Sequence, residues 1–241
     1  MKKTALALAV ILAGANFEST AFTEGTANME LVKQEVTAEE VVQKYIAAVG
    51  GQAMVDGLRN MEMVMETEIQ GMTLNITVIT DQENHRALNL TEMNGNQVAK
   101  TLIKDGKGTV VSMGKEQEIT GERLNSMKSQ TYIVPEMYYT DLGYEISYDG
   151  TGEVEGEKAH RVLLKDANGV ETREYYSIES GLKLMTESEV AGKVVYEDYK
   201  DWEGITFPSK ITMSNSMMPV PMEVKVISMK MNQELDDQLF D

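Results

Sequence analysis

Residues 171–213 read ETREYYSIESGLKLMTESEVAGKVVYEDYKDWEGITFPSKITM, a run of extended segments separated by tight breaks. Residues 171–178 alternate and carry Tyr175 and Tyr176, and Ser180 with Gly181 turns the chain into residues 182–190. Ala191 and Gly192 turn it again into residues 193–201, and Trp202, Glu203 and Gly204 lead into residues 205–213. Aromatic and β-branched residues between glycine-containing breaks are the pattern of consecutive hairpins. In the last segment Ile205, Phe207, Ile211 and Met213 share one side, interrupted by Ser209, so one face is buried and the other is wet. The stretch holds no catalytic constellation. It reads as a wall, and the question is what the wall encloses.

Upstream, the same period of two begins at Asn60. Met61, Met63 and Met65 alternate with Glu62, Val64 and Glu66, and after Gly71 the residues Met72, Leu74, Ile76 and Val78 alternate with Thr73, Asn75 and Thr77. Further strands are expected at 86–93, 97–103 and 109–113, then at 144–148 and 160–165, and finally at 221–231. Ahead of them, Thr37-Ala38-Glu39-Glu40 is a capping-box pattern that starts a helix, with Val42, Tyr45, Ile46 and Val49 on one stripe and Gly50–Gly51 as its end. A short second turn of helix follows at 52–58, another helix is expected at 121–130, and an irregular aromatic loop at 135–142. The expected fold is mainly β with a few helices: an antiparallel β-barrel or strongly curved sheet of roughly ten to twelve strands.

Composition bounds the partners. The 241 residues carry 22 basic and 39 acidic side chains, a formal charge of −17, which argues against nucleic acid or an anionic lipid surface as the main partner. There is no cysteine, so disulfides, thiolate nucleophiles and Cys-ligated metals are excluded. The N-terminus reads as a signal peptide: Lys2 and Lys3, then a short apolar run at 5–13, with cleavage expected after Ala21 or, alternatively, after Ala15. Residues 22–36 then form a lead-in, and 37–241 a single domain. The apolar run is too short to span a bilayer, and no later segment is long enough. An exported, periplasmic protein without a transmembrane segment is expected.

Candidate chemistry is sparse. His85 lies in a polar turn at 81–86 and His160 at a strand start; neither belongs to a metal-ligand spacing, and no serine sits in a nucleophile elbow. Glu153, Glu155 and Glu157 fall in a Gly-rich turn that does not match a calcium loop. No metal site, cofactor or catalytic residue is indicated, and an enzyme is the weaker reading. The 18 methionines are the unusual feature, clustered at Met61, Met63, Met65 and at Met217, Met218, Met222. Methionine fills irregular cores and also lines surfaces that accept varied apolar ligands. Alternation alone does not separate a filled barrel from a hollow one.

Several stretches resemble one family. Tyr45-Ile46-Ala47-Ala48-Val49-Gly50-Gly51 ahead of a Met-rich strand is similar to the start of lipoprotein-carrier-like (LolA/LolB-like) periplasmic domains of Bacteroidetes-type bacteria. Pro135-Glu136-Met137-Tyr138-Tyr139 with Gly143-Tyr144 resembles the same group. So do Tyr175-Tyr176, Gly181-Leu182 and the run from Asp198 through Trp202 and Gly204 to Pro208. The resemblance implies an incomplete antiparallel β-barrel covered by helices, LolA-like, around an apolar cavity for lipid or lipoprotein acyl chains. It also implies outer-membrane lipoprotein sorting and envelope donor or acceptor proteins as partners. On that fold Met61, Met63, Met65, Leu74, Ile76, Val78, Phe207, Ile211, Met222, Val224 and Val226 face the concave side. The stripe Val42, Tyr45, Ile46, Val49 then becomes a lid helix. The alternative is a structural or interaction module of the cell envelope with a filled barrel core and no ligand.

Overall fold

The capping box is formed. In α1 (Ala38–Val49) the Thr37 hydroxyl accepts from the Glu40 amide while the Glu40 carboxylate accepts from the Thr37 amide. Gly50 ends the helix at φ 146°, and α2 (Gln52–Asp56) follows at once. The computed structural model describes residues 36–189, 192–216 and 220–241. The signal peptide, the 22–35 part of the lead-in, Met217 and Met218 lie outside the described residues.

The remainder is one antiparallel sheet of thirteen strands. Its first half comprises β1 (Asn60–Ile69), β2 (Met72–Asp81), β3 (Arg86–Met93), β4 (Asn96–Lys104), β5 (Lys107–Ser112) and β6 (Lys115–Ile119). The second half comprises β7 (Glu145–Val154), β8 (Glu157–Lys165), β9 (Glu171–Ser177), β10 (Lys183–Ser188), β11 (Gly192–Trp202), β12 (Ile205–Ser214) and β13 (Met222–Met231). The order is β6-β5-β4-β3-β2-β1-β13-β12-β11-β10-β9-β8-β7, two hairpin meanders joined where β1 pairs with β13. The ladder does not close: β6 and β7 are its two edges, and residues 120–144, with α3 (Gly121–Met127) and short 3₁₀ turns at 128–131 and 135–138, run from one edge to the other.

Sequence and structure differ in a few places. The thirteenth strand is β6, whose Lys-Glu-Gln-Glu-Ile buries only Ile119 and so carries no alternation to read. The acidic trio is not gathered in a turn. Val154 pairs with Glu157 across a two-residue bend of Glu155 and Gly156, both at positive φ, leaving Glu153 and Glu157 in the strands. His160 lies within β8 rather than at its start.

The main core forms on the helix-bearing side of the sheet. Val41, Val42, Tyr45, Ile46 and Val49 of α1 join Met61, Met65, Val224, Val226, Met229 and Met231 there. On the opposite face, Ile79, Leu88, Leu90 and Leu102 are covered by Leu235 and Phe240, with the Arg86 guanidinium 4.0 Å above the Phe240 ring.

One hairpin depends on a glycine. Gly192 has φ +84°, and a Cβ there would stand 2.2 Å from the Ser214 carbonyl oxygen and 2.6 Å from the Asn215 Cβ. Backbone cannot yield as a flexible side chain does, so Gly192→Ala is expected to cost more than about 1 kcal/mol. Thermal unfolding checks it: an unchanged melting temperature refutes the expected loss.

Candidate binding cleft

The register brings the apolar sets together. Met65 pairs with Ile76 on one side and Val226 on the other, Met63 pairs with Val78, and Thr67 lies between Leu74 and Val224. Val224 in turn pairs with Ile211, and Met222 with Met213. Cross-strand partners share a face, so these residues form one continuous surface.

Met63, Met65, Ile76, Val78, Ile211 and Val224 line a cleft of about 550 Å³ on that surface. Met61 and Val226 point to the same side and are buried in the core, as Met65 and Val224 of the lining are, but do not line the cleft. Leu74 is half-buried on β2, and Met222 packs on the rim of the core. Phe207 lines a second, neighbouring cavity of about 360 Å³, and Ser129, Pro135 and Tyr196 belong to both. Val42, Tyr45, Ile46 and Val49 form the buried face of α1, which packs against β7, β8, β12 and the 135–138 turn.

The second cavity is walled by a buried charge cluster. Lys183 on β10 is ion-paired to Glu136 of the 135–138 turn and, at 2.5 Å, to Glu174 on β9; all three side chains are at most 8% exposed. Tyr139 donates to Glu174 Oε1 at 2.8 Å and Tyr176 to Glu174 Oε2 at 2.5 Å, so both Glu174 oxygens are satisfied. Glu136 Oε2 is buried and accepts no hydrogen bond among the described residues. The Lys183 ammonium also lies 5.4 Å from the Tyr176 ring centre and 5.6 Å from that of Tyr45, and those rings meet edge-on at 5.4 Å.

Electrostatics divide the cluster. Burial works against the Lys183 ammonium, but Glu136 and Glu174 outweigh it, and its pKa lies above the ordinary lysine value. Burial, with the neighbouring Glu174 carboxylate, pushes the Glu136 carboxyl above the usual carboxylate range, and the Lys183 ammonium offsets this only in part. Burial next to the two carboxylates raises the Tyr139 and Tyr176 hydroxyls well above ordinary tyrosine.

A break in the pleat places Lys183 here. Lys183 pairs with Tyr176 and Met185 with Tyr175, adjacent residues that face opposite ways, so the register slips at Leu184. Met185 and Tyr175 go to the outer face, while Lys183 turns inward with Glu174 and Tyr176. Asp198, at φ 53°, interrupts the alternation of β11 without shifting its register against β12, and Tyr196 and Tyr199, three apart, both line the cavity. Strict alternation does not reveal this site. The signal available was a lysine inside an otherwise apolar Leu182–Met185 run beside a tyrosine pair.

No protein-family model and no curated protein matches the chain by sequence. Solved structures do match by shape. A LolA superfamily protein from Nitrosomonas europaea superposes with a TM-score of 0.57 at 15% identity, over 86% of this chain and 98% of its own. The chain has a LolA-like fold. A domain assigned to outer membrane lipoprotein sorting from Vibrio parahaemolyticus gives 0.56 at 13% identity, over 84% and 95%. A DUF1329 family protein from Desulfovibrio piger gives 0.58 at 12%, over 84% and 96%. On the LolA-like fold the cleft lies on the side of the sheet that α1 covers, and the charge cluster stands where α1, the 135–138 turn and the second meander meet. Among the described residues no helix is long and apolar enough to cross a membrane, and no group of three or more His, Asp or Glu side chains could hold a metal.

Proposed function

We infer that the chain is a non-enzymatic periplasmic carrier that holds acyl chains of lipid or lipoprotein in its apolar cleft. The observation that carries this reading is the cleft itself, lined by Met63, Met65, Ile76, Val78, Ile211 and Val224. Its volume falls in the range of about 300–1,000 Å³ typical of small-molecule sites. Each methylene moved from water into such a surface contributes about 0.8 kcal/mol, so a long chain gains of order 10 kcal/mol before the costs of association. Flexible, polarizable methionines suit cargo whose chains vary. The LolA-like fold supports the same reading, as does the lipoprotein-sorting assignment of the Vibrio parahaemolyticus domain. Exchange with envelope donor and acceptor proteins follows if the cargo is lipoprotein. Neither histidine lines the cleft: His85 packs behind it on Tyr132, which does, and His160 is hydrogen-bonded to Tyr148.

Met63→Gln and Ile76→Asn test the cleft. In a site that holds ligand, a polar side chain weakens fluorescent fatty-acid binding and leaves the melting temperature nearly unchanged. In a filled core it is left without partners, at a cost of about 1–3 kcal/mol of stability. Both variants are expected to lose binding and keep their melting temperature. No binding by the unmodified protein, with a large fall in melting temperature in both variants, would leave the packed envelope module as the reading.

A further inference from the structure

A lone buried lysine beside an apolar cleft suggests an anchor for a fatty-acid carboxylate. The geometry excludes that here, because the ammonium is already committed. It meets Glu136 and Glu174, with the Tyr139 hydroxyl at 3.4 Å. With both carboxylates ionised, one positive charge faces two negative ones, and a further anion would meet net repulsion. The missing element is a donor, since Glu136 Oε2 is buried without a partner while Glu174 is fully satisfied. Leaving an ionised oxygen in that state is costly, and a ligand that supplies the donor recovers the cost. Tyr45, Tyr139, Tyr144, Tyr196 and Tyr199 wall the same cavity, and aromatic faces attract cations.

We propose that this cavity is a head-group subsite for a protonated amine on an apolar tail, the amine donating to Glu136 and the tail lying in the adjoining cleft. The inference rests on the carrier reading and adds the polarity of the cargo. The two spaces are continuous in their walls through Ser129, Pro135 and Tyr196. Glu136 belongs to a four-residue 3₁₀ turn in the segment between the sheet edges and is itself part of the cavity wall. An ammonium phospholipid head and a simple alkylamine share this chemistry.

Calorimetric titration at pH 7 and about 0.15 M salt, where exposed charges are screened beyond ~8 Å, separates the possibilities. The ligands are dodecylamine, dodecanol, dodecanoate and dodecyltrimethylammonium below their micellar concentrations. Dodecylamine is expected to bind about tenfold tighter than dodecanol, a difference of ~1.4 kcal/mol, with dodecanoate weakest. Glu136→Gln is expected to bring the amine down to the alcohol and leave the alcohol unchanged. Dodecyltrimethylammonium, which keeps the charge but has no N–H, is expected to fall below the amine on the unmodified protein, a readout that does not need the variant to fold. Equal affinity for amine, alcohol and carboxylate overturns the head-group site and leaves the carrier reading standing. An amine preference that survives Glu136→Gln, or that dodecyltrimethylammonium shares, also overturns it, as attraction to the tyrosine walls or to an acidic protein in general. If none of the four ligands binds, the carrier reading fails and the head-group site with it. Lysophosphatidylethanolamine binding tighter than lysophosphatidylglycerol identifies a phospholipid as the source of the amine. The reverse order, with dodecylamine still preferred, identifies a simple alkylamine.

Discussion

Replacing Lys183 by methionine is expected to lower the unfolding free energy by about 3–5 kcal/mol, the cost of stripping the partner from a buried ion pair. Lys183 is 8% exposed and is paired to two carboxylates that are each 5% exposed, so its loss leaves two buried negative charges facing each other. For a domain stable by ~5–15 kcal/mol this is a large share. The pH dependence identifies the cause. Glu136 has its carboxyl raised above the ordinary range by burial. A group raised in the folded state contributes stability below its unfolded value, near 4.3, and loses it as pH rises through the folded value. Without the ammonium that folded value rises further, so the Lys183→Met deficit is greatest near neutrality and shrinks toward pH ~4. Lys183 itself is raised as well, and its contribution is present below its unfolded value of ~10.4, so it produces no trend on the acid side. Adding Glu136→Gln and Glu174→Gln to Lys183→Met removes the uncompensated charge and is expected to recover most of the loss. Urea unfolding at pH 4, 5, 6 and 7 measures all of this. A loss under about 1 kcal/mol, or one independent of pH, would show that the cluster is not a buried charge network.

Much of this architecture is legible because two local rules hold along most of the chain. Thr37 and Glu40 mark the start of α1, and glycine-containing bends separate segments of period two, so the helix and twelve of the thirteen strands can be read from one sequence. Pairing follows from the short turns, since hairpin neighbours have little alternative. What the rules do not reveal lies where they are broken. β6 has no apolar face to announce it. The inward turn of Lys183 depends on a register slip at Leu184, and the approach of Tyr199 to Tyr196 on a positive φ at Asp198. Neither Leu184 nor Asp198 is a glycine or a proline, although Pro208 stands opposite Tyr199 on β12. A strictly alternating strand puts Lys183 with Met185, on the outer face, and the cluster disappears from view. The apolar cleft is legible as a set of residues, yet the division between cleft lining (Met63, Ile76) and packed core (Met61, Val226) depends on where α1 sits, which no strand pattern encodes.

That position also decides how α1 takes part in any ligand exchange. Ile46 is 1% exposed and Val49 fully buried, Tyr45 stacks edge-on against Tyr176 near Lys183, and Lys44 donates to the carbonyl oxygens of Ile178 and Glu179. A helix fastened by core contacts, aromatic packing and a surface clasp belongs to the folded unit of the sheet. A lid that opens on its own would hold fewer buried contacts, since locally opening elements come from the low-stability end of a structure. Ile46→Ala is therefore expected to cost about 2–5 kcal/mol, the range for truncating a buried aliphatic side chain. The denaturant m-value should stay unchanged, because α1 and the sheet unfold together and the surface exposed is the same. Fatty-acid affinity should hold at temperatures where the variant remains folded. The opposite pattern is equally specific: a small loss of global stability, faster amide exchange confined to residues 38–49, and faster ligand release. That outcome would make α1 a lid, with the opening set by how tightly Ile46 is seated.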